Sequence, residues 1–203
     1  MATPGRKSVV LYVMLLAVFI IAQPLTQTFA FVAYGDQNVE QWPGTIGGDL
    51  VQAYTKITVY RPTVIQSVSM YMQYSGSDGT QCVKFGIYRD NGSGSPAGQF
   101  LVAATQREYC LHGTGSWGPD WQTWRLGFDT LRINEAGDYW ICTLAKQTFG
   151  SIYHYAYTGA YDYTYGYANY FFQSPYDYGF PQIFSTTPGW EANAPYSIYV
   201  TGT

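Results

Sequence analysis

The chain has 203 residues and a formal net charge of −3, and 19% of its residues are aromatic while only 11% are charged. That length suffices for one domain with its own core, and the acidic balance argues against nucleic acid or anionic lipid as a partner. A surface whose polarity comes from tyrosine, hydroxyl and amide groups suits ligands that stack and form hydrogen bonds, although the same composition is common in exported β-proteins.

An export signal is predicted at residues 1–30. Two basic residues precede an apolar run at residues 8–22, which is shorter than the roughly 20 residues that a membrane-spanning helix needs. Small residues favour cleavage after Ala30, and the alternative is an uncleaved membrane anchor. Without its two basic residues, the mature chain of residues 31–203 has eight basic and thirteen acidic side chains, a formal charge of −5. We predict no membrane span in it.

From residue 31 onward the sequence predicts strands throughout. No window of eleven or more residues has helical spacing, whereas apolar and polar residues alternate in many short segments. These segments are ITVY (57–60), VIQSVSMYMQY (64–74), CVKFGIYRD (82–90), LVAATQREYC (101–110), WQTWRLGF (121–128), DYWICTLAK (138–146) and PYSIYVTG (195–202). Glycine-rich turns separate them, which predicts one all-β domain, an antiparallel β-sandwich. Residues 31–48 are predicted to be flexible or to donate a strand to a neighbouring subunit.

Two strands indicate which faces form the core. The alternating apolar positions predicted to point inward are Val68, Met70, Met72, Val83, Phe85 and Ile87. The positions on the opposite faces, predicted to be wetter, are Gln66, Ser69, Gln73, Lys84 and Tyr88. Trp124 is predicted to be core because it shares a strand face with Leu126 and Phe128.

Several segments in succession resemble a known kind of domain. They are IQSVSMYMQY, VKFGIYRDNGSGSPAGQFLVA, WQTWRLGFDTLRINEAGDYWICTLA and PYSIYV, which together span roughly residues 57–201. They resemble a jelly-roll domain that recurs in exported and cell-surface proteins of bacteria and archaea and is similar to carbohydrate-binding modules. The resemblance implies a jelly-roll fold, a location at the cell surface and a glycan ligand, but the same scaffold carries different ligands and roles.

Groups that could support catalysis are sparse and lack recognisable motifs. The two histidines, His112 and His154, are more typical of solvated or structural positions than of a catalytic base. Among the scattered acids, the ones to inspect as a carboxylate pair are Asp120, Asp129 and Asp138. We therefore predict a protein that is not an enzyme and has no cofactor.

The hairpin Asp90-Asn91-Gly92-Ser93 offers oxygen atoms at short spacing. Calcium prefers such ligands, which makes Asp90 a weak metal candidate. The same residues are ordinary turn formers, so we predict a turn and no metal site. Asn91 also begins a glycosylation sequon.

Residues 153–180 are rich in tyrosine, and between 153 and 167 the tyrosines occupy odd positions only. Such spacing places them on one face of a strand. If that face is exposed, it can stack on sugar rings or on a neighbouring subunit; if it is buried, the tyrosines are core. The candidate ligand-binding residues are Tyr161, Tyr163, Tyr165, Tyr167 and, in a glycine-rich loop, Trp117.

A disulfide between Cys82 and Cys110 is predicted from strand register. The loop between their strands centres near Pro96, and antiparallel pairing about that point places Cys82 opposite Cys110 and Lys84 opposite Glu108. Export to an oxidising compartment allows such a bridge to persist. Cys142 is then an unpaired thiol, and the alternative is three buried cysteines that act as small apolar residues.

These observations favour a secreted, non-enzymatic domain that binds a glycan or another cell-surface component. The alternative is a self-assembling extracellular structural subunit, in which residues 31–48 add a strand to a neighbour's open sheet. An enzyme is the third hypothesis.

Overall fold

The computed structural model describes residues 31–38, 42–46, 50–75, 79–113, 117–146, 151–156, 169–186, 189–191 and 196–203. The predicted signal peptide lies outside these residues. Phe31–Thr203 forms one compact unit. None of the described residues belongs to a helix that is long and apolar enough to cross a membrane.

The described part of the chain is built almost entirely from strands. In chain order they are β1 (Val32–Gly35), β2 (Trp42–Ile46), β3 (Leu50–Val59), β4 (Thr63–Ser75), β5 (Gly79–Asp90), β6 (Leu101–Ala104), β7 (Tyr109–Gly113), β8 (Trp117–Arg125), β9 (Leu131–Ile133), β10 (Gly137–Ala145), β11 (Ser151–Ala156), β12 (Asn169–Gln173), β13 (Gly189–Glu191) and β14 (Ile198–Gly202). A short 3-10 turn, Tyr176–Tyr178, precedes β13. The predicted all-β class is confirmed.

The strands form two seven-stranded sheets, and the described pairings are antiparallel. In the first sheet, β4 has β14 and β11 along one side and β9 and β8 along the other. β1 pairs with β14, and β2 pairs with β11. The second sheet has the order β13-β12-β3-β10-β5-β6, with β7 also beside β5. This is an antiparallel two-sheet sandwich, compatible with a jelly-roll-like fold.

The main core lies between the two sheets, where alternate side chains of facing strands meet. The six residues predicted to point inward are all buried there: Val68, Met70, Met72, Val83, Phe85 and Ile87. Trp124 is also buried and packs on the ring of Phe85, with 5.3 Å between ring centroids. The predicted position of Phe128 is wrong, because β8 ends at Arg125 and Phe128 is 99% exposed in the turn that follows.

The prediction of a wet outer face fails at Ser69 and Tyr88, whose side chains are fully buried. Ser69 is a small residue at the centre of the first sheet, where Tyr199 and Thr123 flank it in register. Tyr88 lies beneath residues 174–186, which we call the covering segment. Gln66, Gln73 and Lys84 are partly exposed, as predicted.

The covering segment gives the second sheet a second apolar layer on its outer face. Tyr176, Phe180 and Phe184 of this segment pack in a cluster with Tyr88 and Trp140. The Tyr88 hydroxyl donates a hydrogen bond to the Pro181 carbonyl at 2.6 Å. Both faces of the second sheet are therefore covered, whereas the outer face of the first sheet carries a groove.

The predicted disulfide between Cys82 and Cys110 is confirmed, with the two residues paired in register across β5 and β7. Cys142 is free and buried. The β5–β7 register is the predicted one, but Lys84 and Glu108 do not form an ion pair with each other. The Lys84 ammonium instead donates to the carbonyl of Tyr176 at 3.3 Å, and Glu108 lies 3.8 Å from the ammonium of Lys146.

One further segment differs from its predicted form. The single strand predicted for residues 101–110 divides into β6 and β7, because the backbone bends between them and Thr105 bonds to Phe85. Residues 31–48 contain β1 and β2, and β1 pairs with β14 of the same chain.

Candidate functional site

The outer face of the first sheet carries a groove above strands β14, β4 and β8. Register places Tyr199, Ser69 and Thr123 side by side across these strands. A second row, two residues away along each strand, contains Thr201, Ser67 and Arg125. Because alternate residues of a strand share a face, the two rows lie on the same side of the sheet.

Hydroxyl groups in these rows are linked in pairs. The hydroxyls of Ser67 and Thr201 lie 2.6 Å apart, and those of Ser69 and Thr123 lie 2.8 Å apart. A hydroxyl offers one donor and two acceptor positions, so Ser67, Thr201 and Thr123, which are at least partly exposed, retain hydrogen-bonding capacity toward a ligand, whereas Ser69 is buried and supports Thr123 from below. The pairs also fix the rotamers of the groove floor before any ligand arrives.

A β-bulge adds an amide to the same surface. The pairing of β14 with β4 passes from Ser67 directly to Ile65, so Gln66 has no opposite residue on β14. Gln66 and Ser67 consequently both line the groove. The Gln66 side-chain amide donates to the Thr203 hydroxyl at 3.3 Å.

Three aromatic rings lie beside the hydroxyl rows. The ring of Trp121 contacts that of Tyr199 edge to face, with 5.1 Å between centroids, and that of Tyr71 in a similar way at 5.6 Å. Tyr199 and Trp121 are both partly exposed. Mutual contacts hold the rings in place, which lowers the entropy lost when a ligand stacks on them.

The groove has a volume of about 690 Å³. Its lining is mostly hydroxyl and amide and includes two aromatic residues: Phe31, Gln66, Ser67, Ser69, Thr123, Arg125, Gly127, Thr130, Tyr199 and Thr201. None of these lining residues is an acid, a histidine or a cysteine. The arrangement is suited to hold a polar, hydroxyl-rich molecule by hydrogen bonds and by stacking on an aromatic face.

The sequence-predicted aromatic candidates lie elsewhere or outside the described residues. Tyr161, Tyr163, Tyr165 and Tyr167 fall outside them, so their exposure stays a prediction. Trp117 begins strand β8, with its backbone paired to Tyr74, and does not sit in a loop. The Trp117 side chain is outside the description.

Asp90 and Asn91 take turn roles in the structure. One Asp90 carboxylate oxygen accepts the backbone N–H of Gly92 at 3.1 Å, and the other lies 3.3 Å from the Lys56 ammonium. The Asn91 side-chain oxygen accepts the backbone N–H of Ser93 at 3.0 Å, and Asn91 is exposed. An ammonium ion beside a carboxylate occupies the place that a metal cation would take, which favours the turn interpretation.

The three acids considered as a carboxylate pair each accept hydrogen bonds from different parts of the chain. Asp129 accepts the backbone N–H groups of Gln106 and Arg107 and so holds the bend between β6 and β7. Asp138 accepts a hydrogen bond from the Thr58 hydroxyl at 2.7 Å, and Asp120 from the backbone N–H of Trp121.

The two histidines lie in strands. His112 belongs to β7 and pairs with Thr80, and His154 belongs to β11 and pairs with Met72 on one side. Side-chain positions of both histidines are outside the description.

Sequence reasoning missed most groove residues, although their signal was present. In VIQSVSMYMQY the small and aromatic residues Ser67, Ser69 and Tyr71 alternate with the core positions, and in PYSIYVTG the same holds for Tyr199 and Thr201. Alternation shows that such residues share a face. Which strands lie side by side is set by long-range pairing, so the groove could not be assembled from these patterns.

No protein-family model, curated protein or solved structure matches this chain. Similarity to carbohydrate-binding modules therefore stays a resemblance between sequence elements, and function has to be argued from the groove.

Proposed function

We propose that this chain is a secreted, non-enzymatic binding domain that acts at the cell surface and holds a glycan in the groove of the first sheet. The observation that carries the proposal is the joint position of hydroxyl rows and an aromatic cluster on one open sheet face. Sugars present polar hydroxyls around an apolar ring face, so they need both kinds of contact.

Secretion is supported by two features of the chain. Residues 8–22 have the length and composition of an export signal. The disulfide between Cys82 and Cys110 is of the kind that persists in oxidising compartments. Export with cleavage after Ala30 would yield a product that begins at Phe31, which N-terminal sequencing of the extracellular protein tests.

The binding test compares the mature protein with two aromatic variants on a glycan array, followed by titration calorimetry with the best ligand. Trp121→Ala and Tyr199→Ala should each weaken binding by up to about tenfold, since loss of an aromatic contact removes on the order of 0.5–1.5 kcal/mol. Tyr178→Ala is the matched control, because Tyr178 is 85% exposed on the covering segment of the other sheet. Thermal melting checks that all three variants fold.

Two results would contradict the proposal: a wild-type protein that retains no glycan, or groove variants that bind as tightly as the Tyr178 control. Equal loss of binding in all three variants would also contradict it, because the effect would then not depend on the groove.

A self-assembling structural subunit is the second candidate function. Strand β1 has four residues and lies at a sheet edge, where β14 is its only partner among the described strands. The corresponding segment of a neighbouring subunit could take that place by strand exchange. Sedimentation velocity over a range of concentrations tests this, and a monomer throughout would contradict it.

A further inference from the structure

One positively charged side chain faces the groove. Arg125 alone among the lining side chains is charged at neutral pH, and it is exposed. The ion pairs in the described part of the chain join other side chains, and none includes Arg125. A cation at the edge of a hydroxyl-rich groove that has no acidic lining residue is placed to meet a negative charge on a ligand.

The position of Arg125 sets where that charge would lie. Arg125 is opposite Ser67 on the neighbouring strand, and the Ser67 hydroxyl is bonded to Thr201 beyond it. An anionic group at Arg125 thus leaves the remainder of a bound sugar over the hydroxyl rows. A guanidinium can donate two parallel hydrogen bonds to a carboxylate or sulfate, which fixes orientation as well as adding attraction.

The charge of the whole chain does not favour an acidic ligand. The sequence has a formal net charge of −3, so the protein as a whole repels anions at long range. Preference for an anionic ligand must therefore come from a local contact. Arg125 supplies one inside the groove.

We infer that the glycan held in the groove is an acidic one, whose carboxylate or sulfate group pairs with Arg125. This inference rests on the proposed function and narrows its ligand class.

The test uses the mature protein on a glycan array whose spots come in matched sets, with neutral, uronic-acid and sulfated forms of the same backbone. The acidic form should bind about tenfold more tightly than its neutral partner, as expected for a hydrogen bond to a charged group. The uronic-acid and sulfated spots distinguish the two sources of negative charge.

Arg125→Gln should lower affinity for the acidic form to that for the neutral form. Arg132→Gln is the matched control, because Arg132 is exposed on neighbouring strand β9, does not line the groove and carries the same charge. The control should bind within about twofold of wild type, since surface charges act weakly at a distance in salt.

Equal binding of neutral and acidic forms, or an Arg125→Gln variant that behaves as wild type, would overturn the inference. If Trp121→Ala still weakened binding relative to the Tyr178→Ala control in that case, the proposed glycan site would stand. If the protein bound to none of the glycans on the array, both proposals would be wrong.

Discussion

The bulge at Gln66 determines which side chains of β4 face the groove and which face the core. Ile65 and Val68 are both buried in the core although they are three residues apart, a spacing that strict alternation forbids in a regular strand. The extra residue at the bulge allows it and brings Gln66 and Ser67 to the groove together. A spacing of three residues between buried positions indicates a bulge, but this spacing can be recognised only after the structure has shown which residues are buried.

Loss of the disulfide should lower stability by an amount set by the loop it closes. The bridge between Cys82 and Cys110 spans a sequence separation of 28, and we expect the double variant Cys82→Ser, Cys110→Ser to lose about 3 kcal/mol of unfolding free energy, because the bridge restricts the unfolded chain. Urea denaturation followed by tryptophan fluorescence measures this loss. An unchanged midpoint would mean that the bridge does not form in the protein.

The thiol of Cys142 provides a separate test of burial. Burial raises the pKa of this thiol well above its ordinary value, so the reactive thiolate is scarce in the folded state. We expect no labelling by iodoacetamide in the native protein and complete labelling in concentrated urea, read by mass spectrometry. Rapid labelling without denaturant would contradict the buried position.

At the scale of elements, Gly86 allows the covering segment to lie close to the second sheet. A Cβ atom at residue 86 would stand 2.8 Å from the ring of Phe180. Gly86 pairs with Cys142 across the strands, so two small residues form the floor on which this part of the segment rests.

Gly86→Ala should therefore destabilise the protein by about 1–3 kcal/mol, the usual cost of overfilling a packed site. Limited proteolysis should also cleave the covering segment faster. The double variant Gly86→Ala, Phe180→Leu provides the control, since a smaller side chain at 180 gives the new methyl group room and the two effects should not add. Additive losses would show that Phe180 and residue 86 are not in contact.

The sequence predicted the features of the strands that depend on neighbouring residues, but not those that depend on long-range contacts. Strands such as β4, β5 and β10 were found because alternation is a property of neighbouring residues. The sequence predicts one strand for residues 101–110, yet the strand bends where the Asp129 carboxylate accepts hydrogen bonds from the backbone of Gln106 and Arg107. The covering segment has no strand period, so its position over Tyr88 could not be read from the sequence.

For the whole molecule, the fold class was predictable and the candidate site was not. The disulfide could be predicted because the loop position fixes the pairing of the strands on either side of it, and that pairing places the two cysteines opposite each other. Tyr71, Trp121 and Tyr199 come from three distant parts of the chain, and only the arrangement of sheets brings them together. The most conspicuous tyrosines of the sequence, at 161–167, lie outside the described residues.

Buried phenols make the whole fold sensitive to high pH. Burial raises the pKa of four tyrosines, Tyr88, Tyr109, Tyr139 and Tyr176, above the ordinary value of 10.0. For Tyr109 the pKa reaches about 12, because burial and then the nearby Asp129 carboxylate disfavour the phenolate. The Tyr109 hydroxyl also donates to the Leu126 carbonyl at 3.1 Å.

Stability should therefore be constant up to about pH 9 and fall above pH 10. Below pH 10 these phenols are protonated in both states, so their contribution is complete. Above it the unfolded chain loses protons that the folded chain keeps, and the contribution disappears as pH rises through the folded-state pKa. Denaturant midpoints measured from pH 7 to pH 12, with phenolate absorbance recorded in parallel, test this expectation.

Tyr109→Phe should be less stable at pH 8, because it loses a hydrogen bond, but its stability should decline less steeply between pH 10 and 12. If the folded protein instead ionised all its tyrosines near pH 10 with no loss of stability, the packing described for these four side chains would be wrong.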